Sequence, residues 1–259
     1  DMSWQSFYEF QESDIEGFVS FNLYIEDLAG NVHPIISETS DSSSVLFDKT
    51  KPILDLVQFY SSNNLNQELA IVNDTLFLNI LSSELLSELE MFITQIDGMY
   101  NIVDTLMNDS INNLSFLGSR ILNGSEQDGF IQFKIGFSDL AGNIADTVDL
   151  TTDNSSVLYD RTVPAEFFIE NVFGSNGNEV EGYWNSTNNN LIFFIPISDD
   201  ITLIDGGGIQ IQSSFFDSNY IDLGDIYYIQ EEDLNNTKTI IITENQFEAL
   251  QGFQENINV

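Results

Sequence analysis

Cysteine is absent from this chain, and histidine occurs once, as His33. The first absence excludes a disulfide framework, a thiolate zinc site and a cysteine nucleophile. The second removes most imidazole-based metal and acid–base chemistry. Cations are also scarce: 6 Lys and Arg stand against 42 Asp and Glu in 259 residues, a formal charge of −36. Such a polyanion repels phosphate backbones and anionic leaflets, which argues against nucleic-acid and lipid-surface partners. No apolar run approaches the roughly 18 residues that a spanning helix needs, so no direct membrane insertion is expected of this stretch. No basic, apolar leader stands at Asp1, and any export signal is expected upstream or already removed.

What is present is a core. The chain is 42% hydrophobic and holds 21 Phe, too apolar for an acidic disordered tail. The negative charge is spread, at −8 over residues 1–52, −13 over 53–164 and −15 over 165–259. A solvated acidic shell fits that spread better than a tail or patch.

An internal repeat sets the organisation. Residues 17–52 and 129–164 align without a gap at an offset of 112, with 17 of 36 positions identical. The identities include Gly17/Gly129, Asp27/Asp139, Gly30/Gly142, Asn31/Asn143, Asp48/Asp160 and Pro52/Pro164. Weaker echoes match Leu76, Leu78 and Ile80 with Leu191, Phe193 and Ile195, and Gly129-Phe130 with Gly252-Phe253. The chain therefore reads as the C-terminal part of one module (1–52), a complete module (53–164) and most of a third, variant module (165–259). Its expected setting is a longer tandem array.

Each module reads as β. Val19, Phe21, Leu23 and Ile25 alternate with polar or outward residues, as do Ile131, Phe133, Ile135 and Phe137. Period-2 alternation over eight residues marks a strand buried on one face. Several such strands between Asn, Asp, Gly and Ser clusters predict a β-sandwich. Pro196 is expected at an edge or bulge. The 82–90 stretch reads as a loop, and a short helical turn is expected at 243–250, with Thr243 as cap and Gln246 three residues on.

DLAGN followed by SSVLFDKTKP resembles the end of a bacterial immunoglobulin-like (Big-type) domain and its linker into the next copy. The resemblance implies an all-β fold of tandem immunoglobulin-like sandwich domains at an extracellular, cell-surface location. It implies no particular ligand, since the fold hosts many roles.

DLAGN supports two readings. In one it is only a turn: Gly30 and Gly142 supply positive φ, and Asp27, Asn31 and their copies hydrogen-bond its backbone. In the other it is half of a Ca²⁺ clip. The topology that the resemblance implies gathers Asp48 from the linker, Glu84 from the SSE segment and Asp139 from DLAGN at one pole. The third module offers Asp160 and Asp199, with Asp200 beside it. Hard carboxylate oxygens suit Ca²⁺, and extracellular modules need affinities of only ~10⁻⁴–10⁻³ M.

Catalysis has little to stand on: there is no Ser–His–Asp set beyond His33, no phosphate-cradling glycine loop and no H-E-x-x-H. His33 faces Ala145 in the repeat and reads as a surface residue. The leading expectation is a structural or adhesive segment that projects a distal binding region, its partners being neighbouring modules. The alternatives are a surface-layer or filament subunit that contacts other copies of itself, and a carbohydrate-binding module using the aromatic loops of the third segment; Trp4 and Trp184 read as core or rim residues rather than sugar platforms. Tyr24, Phe77 and Phe92 fall on the outward phase and read as loop-packed or lateral-contact residues. Seven N-x-[ST] triplets occur, against about four expected by chance, a weak signal for glycosylation.

Overall fold

The computed structural model describes residues 4–94, 100–102, 105–109, 114–204, 206–214 and 220–248. Gly252 and Phe253, and the sequon at Asn113, lie outside these residues. The described chain is all-β: sixteen strands in several sheets, mostly antiparallel, with one short α-helix at Glu244–Glu248. It divides into two compact units.

The first unit comprises Asp1–Gln58, Leu78–Ser119 and Gln132–Asn154. Here Gln132 to Asp139, the greater part of strand Gly129–Asp139, run antiparallel to strand Leu86–Thr94, which also pairs with Tyr100–Ile102. The alternation expected of this strand is obeyed: Phe133, Ile135 and Phe137 are buried while Gln132 and Lys134 face out. Register slips between Ser138 and Asp139, where Leu86 rather than Ser87 opposes Asp139. The bulge turns two consecutive residues inward, and Ser138 and Asp139 are both buried.

The second unit comprises Phe59–Phe77, Arg120–Ile131 and Ser155–Val259. Strand Val157–Tyr159 pairs antiparallel with Gly129 to Ile131 and parallel with Leu69–Ala70. Farther on, Asn171–Ser175, Asn190–Pro196 and Thr237–Thr243 form an antiparallel sheet, and Gly208–Ser213 pairs with Ile221–Tyr228. Phe193, Ile195, Ile197, Ile211, Leu223, Ile229, Ile240 and Ile242 form a core there. Pro196 ends its strand, where its missing N–H costs the ladder least.

Two buried acids anchor this unit. Glu126 accepts from Arg120 Nη2 at 3.0 Å and from the Asn123 and Gly124 N–H groups at 3.1 and 2.8 Å. Asp233 accepts from the Tyr227 hydroxyl, from Gln230 N–H and from Lys238 Nζ at 2.9 Å. Burial pushes the Asp233 carboxyl up, but these donors outweigh it and hold it below its ordinary value. Breaking such a pair leaves an uncompensated buried charge.

One expectation is corrected. Residues 86–90 belong to strand Leu86–Thr94 rather than to a loop. Leu89 is half-buried, Met91 and Ile93 are buried, and Glu88 and Glu90 face water, so acidic residues occupy the solvated phase of an ordinary one-sided strand. The helical turn forms at Glu244–Glu248, with Thr243 N–H donating to Gln246 Oε1 at 3.0 Å.

The duplicated segments share their bridges but not their strand: the one-sided strand expected at Val19 to Ile25 is reduced to Gly17–Phe18, with Val19, Phe21, Leu23 and Ile25 exposed, whereas the second copy forms Gly129–Asp139. Leu23 bridges Ile36 as Ile135 bridges Val148, and Glu26 bridges Val32 as Ser138 bridges Ile144. Gly17 pairs with Phe47 as Gly129 pairs with Tyr159. Burial differs between them: Leu23 is 48% exposed and its copy Ile135 is 0% exposed. Ile135→Ala should therefore cost about 2–5 kcal/mol in urea unfolding, and Leu23→Ala only about 0.5. Equal losses would mean that the first copy carries its own buried core.

Candidate metal centre

DLAGN folds into the same turn twice. Gly30 and Gly142 hold φ at 87° and 93°, the left-handed region that a side chain disfavours. In the first copy, Asn31 N–H donates to Asp27 Oδ1 at 2.8 Å and its Nδ2 to Oδ2 at 2.7 Å. Asn143 repeats both bonds to Asp139 at 2.8 and 2.7 Å. One asparagine thus satisfies both oxygens of one aspartate and closes the turn.

In the second copy the turn also holds the incoming linker. Asn143 Nδ2 donates to the Asp48 carbonyl at 3.3 Å. Ser83 N–H donates to the Ile53 carbonyl at 3.0 Å, and Ser83 Oγ accepts from Ile53 N–H at 3.2 Å. These bonds bring linker, SSE segment and DLAGN together. One carboxylate oxygen each from Asp48, Glu84 and Asp139 lies within 4.8 Å of the others. Asp139 is buried, and Asp48 and Glu84 are half-buried. Beside them opens a cleft of about 600 Å³, lined by Leu46, Asp48, Glu84, Leu85, Leu114, Leu140 and Ala141.

No lysine or arginine pairs with any of the three among the described residues. Two unit charges about 4 Å apart repel by ~1 kcal/mol in water and ~4 kcal/mol near a protein surface. Burial first, then the negative charges of Asp48, Asp139 and Glu16, push the Glu84 carboxyl above its ordinary value. Burial also pushes Asp139 up, but the Asn143 side chain and the Asn143, Gly142 and Ala141 N–H groups outweigh it and hold this carboxyl below. The cluster therefore contains one acid that resists ionisation and one that is held ionised. A hard cation with several oxygen positions suits such a set.

The other candidate residues sit differently. Asp160 is half-buried and its Oδ1 accepts from Thr162 N–H at 2.8 Å. Asp199 is exposed, and Asp200 caps a short turn through Thr202 N–H at 2.9 Å. Among the described residues no comparable acidic cluster forms around Asp160 or Asp199. His33 is exposed beside the Pro34 carbonyl. Trp4 is exposed and Trp184 half-buried. Phe77 stacks on Tyr60 with ring centroids 5.3 Å apart, while Tyr24 is exposed.

A second linker device escaped the sequence reading. Glu16 accepts from Lys49 N–H at 2.8 Å and from Thr50 Oγ1 at 2.7 Å, and Lys49 Nζ donates to the Glu12 carbonyl at 2.6 Å. At an offset of 112, Asp128 accepts from Arg161 N–H at 3.1 Å and from Thr162 Oγ1, and Arg161 Nη1 donates to the Gly124 carbonyl at 3.0 Å. The acid stands one residue before the aligned block and differs in type between copies, so counting identities passes over it. The asparagine triplets also gain a local explanation. Asn73, Asn154 and Asn235 adopt positive φ, and Asn123 and Asn185 accept from the N–H two residues on.

The two carboxyls should respond oppositely to pH. A raised carboxyl contributes stability that is complete below its unfolded value and lost as pH rises through the folded one; a lowered carboxyl contributes stability above its unfolded value and loses it as pH falls through the folded one. In chelator, Glu84→Gln should raise the thermal midpoint at neutral pH, with the gain vanishing below the ordinary glutamate value of about 4.3. Asp139→Asn should cost about 1–3 kcal/mol at neutral pH by stranding the Asn143 donors. A Glu84→Gln melt that follows the wild type at every pH would remove the crowding argument. Comparison of the chain with protein-family models, with curated proteins and with solved structures gives no match.

Proposed function

We propose that this chain is a spacer segment of an extracellular repeat protein, built of tandem immunoglobulin-like β-sandwich modules at 1–52, 53–164 and 165–259. Its work is mechanical. Stacked modules project a distal binding region, and the linkers between modules set stiffness. Ca²⁺ at Asp48, Glu84 and Asp139 tightens the linker of one module against the body of the next.

The observation that carries this reading is the convergence of a linker carboxylate, Asp48, with Glu84 and Asp139 inside a 4.8 Å set. Support also comes from the duplicated linker clasp, in which Glu16 and Asp128 hold Lys49-Thr50 and Arg161-Thr162. A chain that invests the same hydrogen bonds in both linkers has a reason to restrict bending there. With an acidic shell of −36, neighbouring segments repel and an extended array stays apart from itself. No catalytic step is part of this role.

Thermal unfolding and solution scattering, each with millimolar Ca²⁺ and with chelator, test the proposal. Free Ca²⁺ at ten times Kd should add about 1.4 kcal/mol. That corresponds to a rise of roughly 3–5 °C in the thermal midpoint for a chain of this size. The Asp48→Asn/Glu84→Gln variant should lose the response. If neither stability nor maximum dimension responds to the ion, the clip fails and DLAGN is a turn alone.

A further inference from the structure

Charge is distributed unevenly over the outward faces of the sheets. Strand Leu86–Thr94 turns Glu88 and Glu90 to water, and strand Ile221–Tyr228 exposes Asp222 and Asp225. The sheet of Asn171–Ser175, Asn190–Pro196 and Thr237–Thr243 does otherwise. Its registers place Phe173, Ile192 and Ile241 in one row across the three strands, and Asn171, Phe194 and Thr239 in the next. Both rows lie opposite the core, which takes the alternate residues Phe193, Ile195, Ile240 and Ile242. No residue on this outer face of the three strands is charged. Lys238, the one charged residue in these strands, falls on the core phase and pairs with Asp233.

A sheet face without a single acid stands out in a chain that holds 42 of them. The complete module repeats it. Strand Thr75–Ser82, the counterpart of Asn190–Pro196, presents Thr75, Phe77, Asn79 and Leu81 on its outward phase, again without charge. The face is apolar at its middle, where Phe173 and Phe194 stack with ring centroids 5.9 Å apart and Ile241 is 51% exposed. Exposed Thr237, Thr239 and Thr243 border it. An apolar patch rimmed by polar groups is the signature of an interaction surface.

The ends of the chain do not account for its openness. In the complete module, the sheet of Thr75–Ser82 is completed by Leu54–Ser61, Ser115–Ile121 and Thr105–Asp109, while Gly129–Asp139 and Val157–Tyr159 belong to a separate sheet. The last strands of a module thus build the other sheet, and the open outer face is a property of this one.

We infer that two copies of the chain meet here, the outer face of this sheet in one packing on the same face in the other. A cationic partner is drawn to the acids on the rest of the surface. A partner as acidic as the chain itself is repelled there and approaches where acids are missing. Stacked sheets lie about 10 Å apart, close to the distance over which salt at about 0.1 M screens the surrounding carboxylates, so added salt strengthens the contact. One patch meets its own copy, and the contact closes as a dimer. Strands of seven residues, three abreast, cover roughly 300 Å², below the ~800 Å² per partner of a standard interface. A single pair of faces therefore holds weakly, and chains lying side by side gain strength by repeating it. The inference rests on neither the cation reading nor the linker.

Sedimentation equilibrium from micromolar to millimolar protein, in chelator and at low and high salt, tests it. A monomer–dimer equilibrium should appear, tighter at high salt. Ile241→Asp and Thr239→Asp should each weaken the dimer at least about tenfold, because each side chain enters the contact twice. Both are exposed in a single copy, so thermal unfolding should show folded variants. Leu150→Asp, at a residue 77% exposed elsewhere in the chain, should leave the dimer unchanged. A chain monomeric at every concentration and salt, dimers that persist in both face variants, or loss of the dimer in Leu150→Asp as well would overturn the inference. So would a monomeric chain that binds a neutral polysaccharide and loses it in Ile241→Asp, a result that assigns the face to a glycan.

Discussion

The hydrogen-bonded pair Asp139–Asn143 is the contact on which the described geometry of the linker depends. Its two bonds close the DLAGN turn, and the same asparagine reaches the Asp48 carbonyl. Asp139 is 1% exposed, and a buried carboxylate is tolerated only when its oxygens are satisfied. Asn143 supplies both donors. The bulge between Ser138 and Asp139 is what turns this side chain inward, at the end of a strand whose preceding residues alternate in the ordinary way. Strand, bulge, turn and linker are thus one mechanical sequence, and the acidic cluster is its by-product.

The charge of −36 acquires a structure through this arrangement. Most carboxylates face water, where repulsion between them is screened and cheap. A few are drawn in, each with a different solution. Glu126 and Asp233 are paired with cations and backbone donors. Glu16 and Asp128 stay exposed and accept from linker N–H and hydroxyl groups. Glu84 sits beside Asp48 and Asp139 with burial and like charge both working against its ionisation. That local imbalance, not the bulk charge, marks the candidate centre.

Legibility followed the range of the interactions. Alternation at Leu76, Leu78 and Ile80, and at Ile131, Phe133, Ile135 and Phe137, is written in nearest neighbours, and all seven side chains are buried. The run Leu86 to Glu90 misled because its acids resemble a loop until the sheet beside it assigns them to the solvated phase. The linker clasp was missed because Glu16 and Asp128 differ in type while doing the same work. Leu23 and Ile135 show the opposite limit: the same pattern and the same backbone bridge, with different burial, because burial depends on what else packs there.

The order of residues by itself determined the all-β class, the 112-residue duplication and the DLAGN turn. These rest on periodicity, glycine φ and hydrogen bonds spanning a few residues, so any equivalent stretch of chain repeats them. The tertiary structure alone decided that oxygens of Asp48, Glu84 and Asp139 meet within 4.8 Å. It alone pushes the Glu84 carboxyl above its ordinary value and holds the Asp139 carboxyl below its own. Those outcomes depend on desolvation and on charges brought together from segments far apart in the chain, and both effects take their size from distance and burial rather than from residue type.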